Sequence, residues 1–79
     1  MLVPVVNLKR TGQNIASLRV QRGISVRDLQ AMLGIATPQA IYKWQRGETL
    51  PTIENLVALS CILSVPIEEI LAADCQTGG

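Results

Sequence analysis

Four polar side chains recur at helical spacing in the middle of the chain: Gln39, Tyr42, Lys43 and Arg46. Positions i, i+3, i+4 and i+7 lie on one side of an α-helix, so these residues predict a single outward stripe. Glutamine can pair with adenine, lysine or arginine with guanine or a phosphate, and tyrosine can contact a phosphate or a thymine methyl. We expect Gln39 and Lys43 to be the base-contacting pair.

A polar stripe on an amphipathic helix is usually no more than its solvated side, and that interpretation stays open. Three observations favour nucleic acid: the stripe contains no acid, it lies in the basic half of the chain, and it lies on the second helix of a closely spaced pair. Ile41 and Trp44 fall on the opposite side, with Ala40 beside them. Trp44 is therefore predicted to be a core residue.

Charge is divided between the two halves of the chain. Residues 1–47 contain all seven basic residues and one acid, a balance of +6, whereas residues 48–79 contain five acids and no base, a balance of −5. Such asymmetry suggests that one end of the molecule meets a polyanion. A solvated gradient of charge with no partner is the alternative.

Apolar periodicity and capping residues predict an all-α fold with five helices. The predicted helices cover residues 8–22, 26–33, 38–46, 53–63 and 66–73. Residues 1–7 are predicted to form an N-terminal arm, in which Leu2–Val6 is the one possible strand. Residues 8–73 are predicted to form the domain, and residues 74–79 a flexible tail.

The connection between the second and third helices is predicted to span three or four residues, which is typical of a helix-turn-helix. We expect the Thr37 hydroxyl to cap the third helix and Pro38 to occupy its first position. Both residues then lie at the end of the helix that meets DNA. Arg27, in the first turn of the second helix, is placed for the sugar-phosphate backbone.

The other basic residues are weaker candidates. Lys9 and Arg10, on the first helix, are possible phosphate contacts. Arg19 and Arg22 are expected to be solvated or paired with Asp28.

Several residues are predicted to be buried. Leu29, Met32 and Leu33 should form the inner side of the second helix.

Cys61 is expected to be a core thiol and Cys75 an exposed one, rather than a disulfide or a metal pair. Two reduced cysteines and the lack of a secretion signal favour the cytosol, and the apolar N-terminal segment is too short to span a membrane.

The fourth predicted helix is apolar nearly all round, which indicates a second covered surface. The residues expected to face the core are Leu56, Val57, Ser60 and Leu63. The residues expected to contact a second copy are Leu59, Ile62, Ile67, Ile70 and Leu71. A central helix surrounded by others of the same chain would show the same pattern.

The arrangements of residues that catalysis needs are not found in the sequence, which has no nucleophile next to a base. There is no histidine, no glycine-rich phosphate loop and no metal-ligand spacing. We therefore expect no enzyme activity and no cofactor, and no small-molecule site is evident.

The third helix and its surroundings resemble the phage-repressor-like helix-turn-helix family, also called the xenobiotic-response-element family. The resemblance rests on Gly34-Ile35, on residues 37–47 (TPQAIYKWQRG), and on Pro51 and Leu56. It covers about Thr11 to Leu71. It implies a compact five-helix, repressor-like domain that binds operator DNA, commonly as a dimer, with the third helix in the major groove.

Two residues depart from the pattern of that family. Val26 stands where many members have a glutamine that grips phosphate, so that contact is expected to be missing. Gln30 stands where a small alanine usually separates the two helices, so their packing is expected to differ. The turn is also one residue longer.

The stripe and the resemblance together predict a transcriptional regulator that binds double-stranded DNA as a homodimer. Repression would then be steric, because an occupied operator blocks polymerase. The alternative is an antitoxin-like or adaptor protein that binds a protein partner and binds DNA weakly or not at all. Salt-dependent DNA binding separates the two.

Overall fold

Five helices and a two-stranded sheet make up residues 2–77, the part of the chain that the computed structural model describes. In chain order the elements are β1 (Leu2–Val6), α1 (Leu8–Gln21), α2 (Val26–Leu33), α3 (Gln39–Gln45), α4 (Ile53–Leu63), α5 (Ile67–Ile70) and β2 (Ala73–Thr77). The first four helices match their predictions to within one residue at each end. The ends of the predicted arm and tail, Met1 and residues 78–79, lie outside the described residues.

Capping side chains explain where three of the helices begin. Asn7, Ser25 and Thr52 each accept a hydrogen bond from the backbone amide three residues ahead. The predicted cap at Thr37 is wrong, because Pro38 occupies the position before α3 and no side chain caps this helix.

The two ends of the described chain meet in a sheet. Strand β1 pairs antiparallel with β2, in a register that sets Leu2 opposite Thr77 and Val6 opposite Ala73. The predicted flexible tail is therefore wrong for residues 74–77, which belong to a paired strand. The possible strand at Leu2–Val6 is confirmed.

Side chains of α1 explain why α5 stops early. The Thr11 hydroxyl accepts a hydrogen bond from the Ala72 amide at 2.9 Å, and the Asn14 amide donates one to the Ile70 carbonyl at 3.1 Å. Leu71 then takes an extended conformation, with ψ of 121°. The prediction that the fifth helix runs to Ala73 is wrong, because α1 supplies the hydrogen bonds that a longer helix would have made internally.

The core is formed by residues from all five helices and from the segments that flank α5. Its buried apolar residues are Ile15, Leu29, Ile41, Trp44, Leu56, Leu59, Leu63, Val65, Ile70 and Ala72. The predicted burial of Trp44 is confirmed. That of Met32 is wrong: the side of α2 packed on the core is formed by Val26, Leu29 and Leu33, and Met32 lies outside it.

Helix α4 is rotated relative to its prediction. Leu56, Leu59 and Leu63 face the core, whereas Val57 and Cys61 are exposed. The expectations that Val57 faces the core and that Cys61 is a core thiol are both wrong. Cys61 and Cys75 are both exposed, free thiols.

Two residues of the predicted dimer contact have no surface to offer. Leu59 and Ile70 are both 0% exposed in the single chain, so their prediction as interface residues is wrong. Ile62, Ile67 and Leu71 are half-buried, and their contact with a second copy stays a prediction.

None of the helices in residues 2–77 combines the length and the apolar character needed to cross a bilayer.

Candidate nucleic-acid interface

The predicted stripe lies on the outer side of α3. Gln39, Tyr42, Lys43 and Arg46 are all exposed, while Ile41 and Trp44 on the opposite side are buried. The predicted orientation of the helix is therefore confirmed. Its contacts with bases and phosphates stay a prediction.

A glycine turn fixes the end of α3. Gly47 has a φ of +76°, which a side chain would disfavour, and its amide donates to the Trp44 carbonyl at 3.0 Å. The Glu48 amide donates to the Lys43 carbonyl at 2.9 Å, so the two bonds form a Schellman motif. Glu48 then pairs with Arg46 in an exposed ion pair.

Helix α1 packs directly against this end of α3. A Cβ atom at Gly12 would lie 2.0 Å from the Trp44 carbonyl oxygen, and one at Gly47 would lie 2.8 Å from Lys9 Cα. Only glycine allows such an approach, so these contacts hold the end of the stripe at a fixed place. Sequence reasoning missed Gly12, although an isolated glycine inside a helical pattern is a signal of close packing.

Two arginines of α1 hold the scaffold together. Arg19 donates to the Gln45 side chain at 3.0 Å and to the Ile24 carbonyl at 2.9 Å. Arg22 donates to the Leu63 carbonyl at 2.9 Å, at the end of α4. The expectation that these arginines are solvated or paired with Asp28 is wrong, because carbonyl and amide oxygens of neighbouring elements lie within their reach.

Carboxylates neutralise two further arginines. Arg10 pairs with Asp74 at 2.8 Å, and Asn7 donates to the same carboxylate at 3.0 Å. Arg46 pairs with Glu48. Arg10 thus ties α1 to β2, which makes it a poorer phosphate contact than its charge suggested.

Three cations remain without such partners. Within residues 3–75, Lys9, Arg27 and Lys43 are exposed and make no hydrogen bond or ion pair through their charged groups. These are the charges that are free to meet a polyanion. Two of them, Arg27 and Lys43, belong to the predicted DNA-binding set.

The turn between α2 and α3 is longer than expected and is held by Gln30. The connection covers residues 34–38, and the Gln30 side-chain amide donates to the Ala36 carbonyl at 3.1 Å. The glutamine thus satisfies a turn carbonyl that the alanine typical of the family could not reach. Val26, half-buried against the core, offers no polar group to a phosphate.

A cleft of about 510 Å³ opens between α2 and α3. Its lining residues are Arg27, Gln30, Ala31, Pro38 and Tyr42. The structure therefore brings three predicted DNA-binding residues, Arg27, Pro38 and Tyr42, to one concave surface. Thr37 is exposed in the preceding turn, beside Pro38.

Known proteins share this sequence pattern and this fold. A helix-turn-helix family matches residues 15–70. The structure is similar to that of the restriction-modification controller protein C.AhdI from Aeromonas hydrophila, with a TM-score of 0.71 and 24% identity, over 80% of this chain and 94% of that one.

Two further solved structures show the same fold. The DNA-binding domain of BldD from S. venezulae matches with a TM-score of 0.70 and 24% identity, over 84% of this chain and 97% of that one. The clp gene regulator ClgR from Corynebacterium glutamicum matches with a TM-score of 0.73 and 18% identity, over 84% of this chain and 69% of that one. No curated protein matches the sequence at a significant level.

Proposed function

Because the chain belongs to the helix-turn-helix family, we propose that it is a transcriptional repressor whose helix α3 enters the major groove of an operator. Sequence-specific binding to double-stranded DNA and the regulation of transcription follow from the family. Repressor action, the residues that contact DNA and the homodimer are the added proposals.

The observation that carries this proposal is the acid-free, exposed stripe on α3. Gln39 and Lys43, one turn apart, are the proposed base contacts, because their side chains can pair with adenine and guanine in the major groove. The contacts of Gly12 and Gly47 with neighbouring backbone support a rigid placement of the helix. A fixed helix loses little freedom on binding, which favours specific contacts.

Phosphate contacts are proposed on both sides of the stripe. Arg27 and Tyr42 line one cleft, so a backbone phosphate near its mouth could accept hydrogen bonds from both side chains. Lys9 lies beside Gly47 at the other end of α3. Thr37 and Pro38, at the start of α3, are proposed to contact the sugar-phosphate backbone of the DNA.

The distribution of acids supports the same orientation. Glu54, Glu68 and Glu69 are exposed on α4 and α5 and would repel phosphate. DNA is therefore proposed to approach the α3 side of the domain. This arrangement leaves α4 and α5 available for protein contacts.

We further propose that two copies bind adjacent major grooves, since one domain offers few base contacts, each worth about 1–3 kcal/mol of discrimination. Half-sites would lie about 34 Å apart. Two surfaces could join the copies: the half-buried Ile67 and Leu71 at α5, or the exposed Ile53 and Val57 of α4.

Sedimentation can distinguish these two surfaces. Val57→Glu should yield monomers if α4 forms the contact, and Ile67→Glu should do so if α5 forms it. Ile62→Glu is less informative, because Ile62 also packs on the core and its loss would weaken the fold. Two variants that both sediment as wild-type dimers would place the contact elsewhere.

The decisive experiment for the proposed function is selection of bound sites from a random duplex library at two salt concentrations. We expect a palindromic site whose recovery falls steeply with salt, because phosphate contacts release counterions. A reporter gene placed behind that site should then be repressed. Absence of enrichment at either salt concentration would favour the adaptor alternative, with a protein partner on α4 and α5.

A further inference from the structure

Glu48 places a carboxylate at the end of the DNA-facing stripe, where it pairs with Arg46. The two side chains are 57% and 50% exposed, so both remain accessible to a ligand. A guanidinium binds a carboxylate and a phosphate through the same kind of charged hydrogen bond. Glu48 therefore occupies the position that a DNA phosphate would take on Arg46.

The backbone holds Glu48 at this place. Its amide closes the Schellman motif on the Lys43 carbonyl at 2.9 Å. The preceding residue, Gly47, lies against the Lys9 backbone and has no room for a side chain. The backbone of Glu48 is therefore fixed just beyond α3, where its carboxylate pairs with Arg46.

Helix stability does not account for a carboxylate here. The last turn of a helix carries partial negative charge, which favours a cation over an acid. An exposed ion pair also adds little to folding. Replacing Glu48 by glutamine is therefore expected to leave the fold intact.

We propose that the Glu48 carboxylate competes with DNA phosphate for the Arg46 side chain. It thereby limits the part of the DNA affinity that does not depend on base sequence. The inference rests on the proposed function. With Arg46 occupied, Lys9 and Arg27 are left to attract phosphate, and Lys43 to contact a base. Because the remaining cations attract DNA phosphate only modestly, the base contacts determine which DNA site the protein stays bound to.

The test measures the affinity for one unrelated duplex of fixed length by fluorescence anisotropy, across a series of salt concentrations. Glu48→Gln should tighten binding severalfold at the lowest salt concentration. It should also steepen the dependence of log K on log salt by about 0.9 per subunit, the value of one added phosphate contact. Glu48→Ala provides a second removal of the carboxylate, and circular dichroism checks the fold of each variant.

Glu54→Gln is the matched control. Glu54 is exposed in the first turn of α4 and makes no ion pair among residues 3–75, so the same change of charge should alter the slope far less. Equal effects of Glu48→Gln and Glu54→Gln would overturn the proposal, because they would reflect net charge alone.

A second background tests whether Glu48 acts through Arg46. In an Arg46→Gln chain, the effect of Glu48→Gln should shrink to that of Glu54→Gln. An undiminished effect would overturn the role assigned to the pair. A folded wild-type protein that binds no duplex at all would instead refute the proposed function, and the inference with it, so the two failures are distinguishable.

Discussion

Gly12 of α1 lies so close to Trp44 of α3 that a Cβ atom at Gly12 would stand 2.0 Å from the Trp44 carbonyl oxygen. The same carbonyl accepts the amide of Gly47 in the turn that ends α3. One backbone contact thus fixes both the packing of the core tryptophan and the end of the helix that carries the exposed stripe.

Gly12→Ala should therefore unfold the domain or nearly so. The added methyl group would meet the backbone of α3, and its own position is fixed by the backbone of α1. The loss of folding free energy should therefore exceed the value of about 1–3 kcal/mol that is typical of overpacking. The whole stability of a chain of this length is roughly 4–12 kcal/mol. Urea unfolding followed by circular dichroism measures the loss. Gln13→Ala, next to it but exposed, should unfold like wild type, and a stable Gly12→Ala variant would contradict the contact.

Trp44→Ala should cost about 3–5 kcal/mol, since it empties a large site in the core. Tyr42→Ala, on the outer side of the same helix, should cost less than about 1 kcal/mol. Thermal unfolding of the two variants compares them directly. Similar losses at both positions would mean that α3 is oriented differently from the structure.

Gln39→Ala should relax sequence choice and leave the fold unchanged. The expected loss of discrimination at one base pair per half-site is about 1–3 kcal/mol. Site selection with the variant and with Gln13→Ala provides the comparison. If both variants select the wild-type site with equal stringency, Gln39 does not read a base.

Arg27→Gln and Arg19→Gln should separate DNA binding from folding. Arg27 has a free guanidinium in the cleft, so its loss should make the salt dependence shallower by about 0.9 per subunit at unchanged stability. Arg19 bonds to Gln45 and to the Ile24 carbonyl, so its loss should lower stability by about 1–3 kcal/mol. Salt titrations of DNA binding and urea unfolding are measured on both variants. A loss of stability in Arg27→Gln, or a stability equal to wild type in Arg19→Gln, would contradict these roles.

Local signals made the helices predictable. Asn7, Ser25 and Thr52 cap helices through bonds to residues only three positions ahead, and the pattern of apolar residues around Trp44 defines the inner side of α3. The exposed stripe follows from the same periodicity. None of these features depends on a distant part of the chain.

Distant contacts explain what the sequence could not show. The end of α5 depends on Thr11 and Asn14, whose partners lie 61 and 56 residues away. The orientation of α4 was ambiguous because an almost wholly apolar helix has no single inner side. The pairing of Arg46 with Glu48 is local, by contrast, but it depends on the turn that the positive φ of Gly47 allows, which residue types alone do not reveal.

The pairing of β1 with β2 turns the described chain into a nearly closed ring. Asn7 and Asp74 are 67 residues apart in sequence, yet their side chains meet at 3.0 Å. A short linker that joins the end of β2 to the start of β1 would close the chain. The chain could then be opened at another turn, so circular permutation should be tolerated. The turn at Gly23, which has open space around it, is the natural place for new chain ends. The order in which the helices are synthesised would then be separable from the way in which they pack.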